Sequence, residues 1–211
     1  PNQADNIGGT ALIMASDFGY SNTIDILIEK GADPNQADKT GKTALMNASL
    51  NGHIDAIDKL IEKGANPNQA NDKGWTSLIF ASYNRHSEAI VKLIEKGADP
   101  NQADSNGLTA LMSASFKGHS DVIDMLLEKS ADPNQADSNG LTALMYASQY
   151  GQNYAIDMLL EKDADPNIKN NYGITALDIA KQAGHKKCVA ILKKHTVSSG
   201  IWTKASSLFR R

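Results

Sequence analysis

Six prolines stand in this chain, Pro1, Pro34, Pro67, Pro100, Pro133 and Pro166, and each lies 33 residues after the last. Around them recurs the connector Pro-Asn-Gln-Ala-Asp or a close variant of it. A fixed period of this length marks stacked supersecondary units, each too small to bury its own apolar face and each completed by its neighbours. The period also constrains function. A stack of similar units rarely builds one unique catalytic pocket, but it presents a long surface.

Within one period, residues 104–136 serve as the type unit. Asp104 to Gly107 reads as a tight turn, because Asn106-Gly107 tolerates positive φ. Thr109 is placed to cap a helix, its hydroxyl accepting from free backbone N–H groups. A short helix is predicted from Ala110 to about Phe116, ended by Gly118 in the left-handed region. Ser120 is read as the cap of a second helix running to about Lys129. Ile123, Leu126 and Leu127 follow the i, i+3, i+4 spacing of one buried face. Leu111, Ala114, Ile123 and Leu126 are the expected core, packed against their equivalents one period away.

The pattern Gly-x-Thr-x-Leu, then Ala, then Gly-His, then Leu-Leu or Leu-Ile and Gly-Ala-Asp-x-Asn resembles the ankyrin repeat from Pro1 to roughly His195. The resemblance implies an all-α solenoid of stacked helix-turn-helix units with β-turn or hairpin-like connectors. Its repeats fall at about 5–37, 38–70, 71–103, 104–136, 137–169 and 170–196. One departure is systematic. The family's Thr-Pro-Leu-His is Thr-Ala-Leu-Met at Thr43, Thr109 and Thr142, with Ile13 and Ile79 in the histidine's place, so apolar packing replaces a polar tie. Arg85 stands where other units have glycine, and Ser130 and Asp163 replace a second glycine. In left-handed geometry each costs roughly 1 kcal/mol.

The two ends differ. Asp178, Lys181 and Lys193 turn core positions polar, as expected of a C-terminal cap, and Thr175 with Asp178 forms a capping-box pair. Ile13, Met14 and Ile28 keep the interior pattern, so further repeats are expected upstream of Pro1. Residues 197–211 lie outside the period. They hold Ile201, Trp202, Leu208 and Phe209 with Lys204, Arg210 and Arg211, and are read as an extra cap over the last repeat, the start of another domain, or a linear motif or basic-aromatic membrane contact.

Charge and chemistry exclude several function classes. A formal net charge of −3 gives no global case for nucleic acid. No apolar stretch approaches the ~20 residues that span a bilayer. One cysteine, Cys188, excludes an intramolecular disulfide and suits a reducing compartment, so a cytoplasmic location is expected. His53, His86, His119 and His185 share one place in the repeat. Stacked helices hold such positions about 10 Å apart, too far to share one metal. No cofactor, metal site or catalytic set is expected. The connector acids read as turn formers, and the sequon at Asn47 falls on a predicted helix.

Where the repeats disagree with one another, function has room. The variable positions are the turn tips and the outward side of the first helices, and they hold eight of the chain's twelve aromatics: Phe18, Trp75, Phe80, Tyr83, Phe116, Tyr146, Tyr150 and Tyr172. In ankyrin-like arrays such positions line the concave groove that contacts partners, and the resemblance implies the same here. The expected partner-binding set is Lys42, Lys73, Trp75, Phe80, Tyr83, Leu108, Phe116, Lys117, Leu141, Tyr146, Tyr150 and Tyr172, on a monomeric, non-enzymatic protein-binding scaffold. The opposing reading is that several of these rings simply pack between first helices. Two further alternatives stand beside it: the targeting arm of a larger enzyme, and a substrate of asparaginyl hydroxylase at Asn35, Asn68, Asn101, Asn134 and Asn167. The Thr-Ala-Leu-Met-x-Ala-Ser style and the abundance of Asn, Ile and Lys resemble ankyrin proteins of intracellular bacteria and protists, and such bacterial proteins are often effectors delivered to a host cytosol.

Overall fold

The computed structural model describes residues 1–196. The readings of the tail at 197–211 therefore lie outside the described residues. Helices run in pairs: α1 (Ala11–Asp17) with α2 (Ser21–Glu29), α3 (Ala44–Asn51) with α4 (Ile54–Glu62), α5 (Ser77–Tyr83) with α6 (Ser87–Glu95), α7 (Ala110–Lys117) with α8 (Ser120–Glu128), α9 (Ala143–Gln149) with α10 (Asn153–Glu161), and α11 (Ala176–Gln182) with α12 (186–196). Among the described residues the fold is all-α; the only extended pairing consists of single antiparallel bridges, such as Ala37 with Thr43, at the base of four of the turns. Two compact units are present, Pro1–Ala110 and a second that begins at Leu111.

Five of the first helices start at a threonine cap. The Thr10, Thr43, Thr76, Thr142 and Thr175 hydroxyls accept the N–H three residues on, at 3.2–3.4 Å. That satisfies one of the donors a helix start leaves open. At Thr175 the reciprocal arm is also made, since the Asp178 carboxylate accepts the Thr175 N–H. Burial of Leu45, Met46, Ala48, Ile57 and Leu60 to 1% exposure or less shows where the core lies, on the facing sides of the two helices. Met46, Ile79, Met112 and Met145 fill the place of the family's histidine and are fully covered. Within the first unit α1 packs on α3 and α3 on α5, with α2, α4 and α6 forming the second row. In the second unit α9 packs on α11 and α8 on α10.

The second helices do not start as expected. Ser120 is the first helical residue and His119 the cap, and neither supplies a side-chain cap. The Ser120 N–H instead donates to the Gly118 carbonyl at 3.0 Å, so the tight corner satisfies that donor from the backbone. Leu127 is only half-buried, whereas Val122 is fully buried beside Ile123 and Leu126. The cap histidines have a different task. The Nε2–H of His53 donates to the Asp17 carbonyl, that of His86 to Leu50 and that of His185 to Gln149, each at 3.0 Å. Each ring thus ties one repeat to the one before it. Gly52 shows what this closeness demands: its φ is 70°, and a Cβ there would stand 2.6 Å from the His86 ring.

The connectors are a second tie. Asn35 donates from Nδ2 to the Gly64 carbonyl at 2.9 Å while its Oδ1 accepts the Asn66 N–H at 2.7 Å. Asn68 repeats this with Gly97 and Asp99, and Asn134 with Asp163 and Asp165. A ladder of side-chain amides thus spaces the repeats. Arg85, Ser130 and Asp163 sit at φ 61°, 67° and 66°, the left-handed geometry expected of them. At the C-terminal end Lys181 and Lys193 are exposed, whereas Ser49, Ser82, Ser115 and Ser148, which share the place of Lys181 in the repeat, are fully buried.

Candidate binding surface

The turn that precedes each first helix is built by one residue. Asp38 Oδ1 accepts the Thr40 and Lys42 N–H groups at 2.8 and 2.9 Å and the Thr40 hydroxyl at 2.7 Å. Asn71, Asp104, Asp137 and Asn170 do the same for their own turns. Burial alone would raise the Asp38 pKa. The Thr40 hydroxyl, the two backbone N–H groups and the Lys42 ammonium outweigh it and hold the carboxyl below its usual range. These side chains are turn formers, each with its Oδ1 committed to backbone N–H groups.

The turns carry side chains from neighbouring repeats into contact. In the first unit Lys39, Thr40 and Lys42 of one tip and Asp72, Lys73 and Trp75 of the next border a cleft of about 500 Å³ whose floor includes Phe80. The Trp75 ring lies 5.0 Å from Phe80 and 5.7 Å from Tyr83, tilted against both. Lys42 Nζ stands 5.2 Å over the Phe80 ring, a cation–π contact. The Trp75 indole N–H donates to Asp104 Oδ2 at 3.1 Å. Trp75 is therefore pinned by its polar edge and stands half-buried against the two rings. Leu108, half-buried at the fourth turn, completes the predicted residues of this unit.

In the second unit Phe116 and Tyr150 meet edge to face at 4.4 Å, and Lys117 Nζ stands 5.4 Å over Phe116. Tyr146 donates its hydroxyl to Asp137 Oδ2 at 2.8 Å. Leu141, Tyr172 and Ile174 border a shallower cleft of about 380 Å³ with Asn139 and Gln149. Tyr172 is 78% exposed and Tyr150 46%.

Of the predicted residues, Lys42, Lys73, Trp75, Phe80 and Tyr83 come together in the first unit, and Phe116, Lys117 and Tyr150 in the second; Phe80 differs from the rest. It is 7% exposed, covered by Trp75 and Lys42, and forms the floor rather than a protruding anchor. Asn47 and Ser113, which occupy the same place in their repeats, are buried as well, whereas Met14 is 55% exposed. Lys39, Thr40 and Asp72, variable turn-tip positions of the sequence, border the cleft as well. Their signal in the sequence was adjacency of turn tips one period apart.

The lysines of the second helices behave otherwise. Lys59 pairs with Asp25 at 2.9 Å, Lys92 with Asp58 at 2.8 Å, and Lys162 with Asp124 at 2.9 Å. The aspartate hydrogen bond is the main cause that raises each lysine's pKa. No ion pair forms on Lys39, Lys42 or Lys73 among the described residues.

Among the described residues no group of three or more His, Cys, Asp or Glu side chains is arranged to hold a metal ion. Cys188 is 1% exposed, and burial, with the Asp157 charge adding to it, pushes its thiol pKa up, away from nucleophilic chemistry. No described helix is long and apolar enough to cross a membrane. Compared with known protein families, the chain matches a model described as ankyrin repeats in three copies over residues 1–71, 60–137, 78–170 and 132–201. No individual curated protein matches it.

Proposed function

The chain belongs to the ankyrin-repeat family, and from that premise we propose that it binds a partner protein through the face made by its turn tips and first helices. Ankyrin repeats are generally protein–protein interaction modules and typically non-enzymatic. The observation that carries the proposal is the pair of aromatic clusters, Trp75 with Tyr83 and Phe116 with Tyr150, at positions where the repeats differ from one another. A purely structural role would recur from repeat to repeat with the same residue, as the asparagine ties do. Trp and Tyr rings held rigid and partly exposed are the residues that dominate protein-binding energetics.

A photoreactive phenylalanine analogue placed at Tyr83, at Tyr150 and, as a control, at Tyr154 tests the reading. Tyr154 is 76% exposed but lies on α10, in the second row. Cross-linked protein is expected from Tyr83 or Tyr150 and not from Tyr154. The reverse pattern would refute the choice of face.

A further inference from the structure

We infer that the cleft over Trp75 and Phe80 receives an acidic segment of the partner, with one apolar side chain seated on the rings and carboxylates reaching the lysines at its rim. The inference rests on the protein-binding reading above and adds the partner's chemistry. Its first support is charge. Three lysines and a single carboxylate, Asp72, line the cleft, in a chain whose formal net charge is −3. The nearby acids are engaged: Asp38 in its own turn, and Asp104 by the Trp75 indole. Its second support is the contrast between lysines. Those of the second row carry aspartate partners at 2.8–2.9 Å, whereas those of the cleft carry none among the described residues. Lysines placed around a ring floor without an ion-pair partner, with only the turn-bound Asp38 acting on Lys42, are the electrostatic complement of an anionic ligand.

The third support is shape. About 500 Å³ holds a large apolar side chain with part of its backbone. Lys42 is held over Phe80 at 5.2 Å, so its ammonium stays beside the seat instead of extending into water. Lys39 and Lys73 stand exposed on consecutive tips. That places positive charge on both borders of the apolar seat, which selects acids on either side of the apolar residue. Lysine is a point charge without the bidentate fork of arginine, which suits single carboxylates in an extended peptide.

The test is a nuclear magnetic resonance titration of the whole chain with four probes: the peptides Glu-Glu-Leu-Glu-Glu, Gln-Gln-Leu-Gln-Gln and Glu-Glu-Ala-Glu-Glu, and a short oligothymidylate. The first peptide is expected to shift the Trp75 indole N–H and the Thr40 and Lys73 amides. Each altered peptide is expected to bind more weakly. The double variant Lys39→Gln/Lys73→Gln, changed only at exposed side chains, is expected to lose about fivefold in affinity. The inference fails if the first peptide gives no shift at about 1 mM, if its glutamine version binds equally, if the shifts map elsewhere, or if oligothymidylate binds as tightly. Cross-linking at Tyr83 that persists after such a failure would leave the protein-binding reading standing and remove only the acidic partner.

Discussion

Gly52→Ala should destabilise the first unit by about 2 kcal/mol, and half of that cost should depend on a residue 34 positions away. Gly52 sits at φ 70°. A side chain in left-handed geometry costs roughly 1–2 kcal/mol, offset by roughly 0.4–1 kcal/mol from a stiffer unfolded chain. The backbone share is then about 1 kcal/mol. The new Cβ would lie 2.6 Å from His86 Nδ1 and 2.8 Å from its Cγ. The ring cannot yield without breaking its 3.0 Å bond to the Leu50 carbonyl, worth about 1 kcal/mol. Urea unfolding followed by circular dichroism, on wild type, Gly52→Ala, His86→Ala and the double variant, isolates the shared term. The account predicts a coupling of about 1 kcal/mol, because His86→Ala removes the obstacle. Costs that simply add would show that the glycine serves the turn alone and that the histidine tie does not require it.

Asp38→Asn should keep the turn, since Asn71 and Asn170 serve the same role in this chain, but it should flatten the acid limb of stability. The Asp38 pKa is lowered on folding, so its contribution is present above the ordinary carboxylate range and is lost as pH falls through the folded value; urea midpoints taken between neutral and acidic pH would show it. Thr175→Ala should cost about 1 kcal/mol, read as a lower melting temperature, because it removes the hydroxyl that both caps α11 and holds Asp178. The Asp178 pKa is lowered by its bonds to Thr175 and Lys181, so that penalty should also shrink as pH drops through the folded value. The Cys188 thiol should resist a disulfide-exchange reagent in the native protein and react at once in urea, since it is 1% exposed; fast native reaction would place it on a surface.

The fold was readable because the repeats compare themselves. Proline spacing gave the phase, the threonines marked each first helix, and the glycine positions marked left-handed corners, so that even the exceptions at Arg85, Ser130 and Asp163 could be located in advance. The role of the shared histidines was readable as structural, but their carbonyl partners 36 residues back were not, because only stacking brings them together. The same holds for the ion pairs of Lys59 and Lys92. Ser120 misled because a serine before an apolar run usually caps, and here a backbone corner does that work.

The variable face was legible as a set of positions but not as a surface. Phe80, Asn47 and Met14 occupy one place in the repeat and differ from 7% to 55% in exposure. Phe80 is covered by Trp75 of its own repeat and by Lys42 of the one before, and the second of these is a contact that no single repeat encodes. Trp75 was legible as an aromatic on a tip. Its indole bond to Asp104, which fixes the ring's orientation, was not.

The central claim, that function lies where the repeats differ, meets its most direct test in calorimetric titration of a cross-linked and identified partner against wild type and Trp75→Ala/Tyr83→Ala. Circular dichroism would confirm that the helices are retained. Loss of two rings from a binding centre predicts an affinity drop of about thirtyfold or more, corresponding to about 2 kcal/mol. An unchanged dissociation constant would contradict the account and return those rings to a purely structural role.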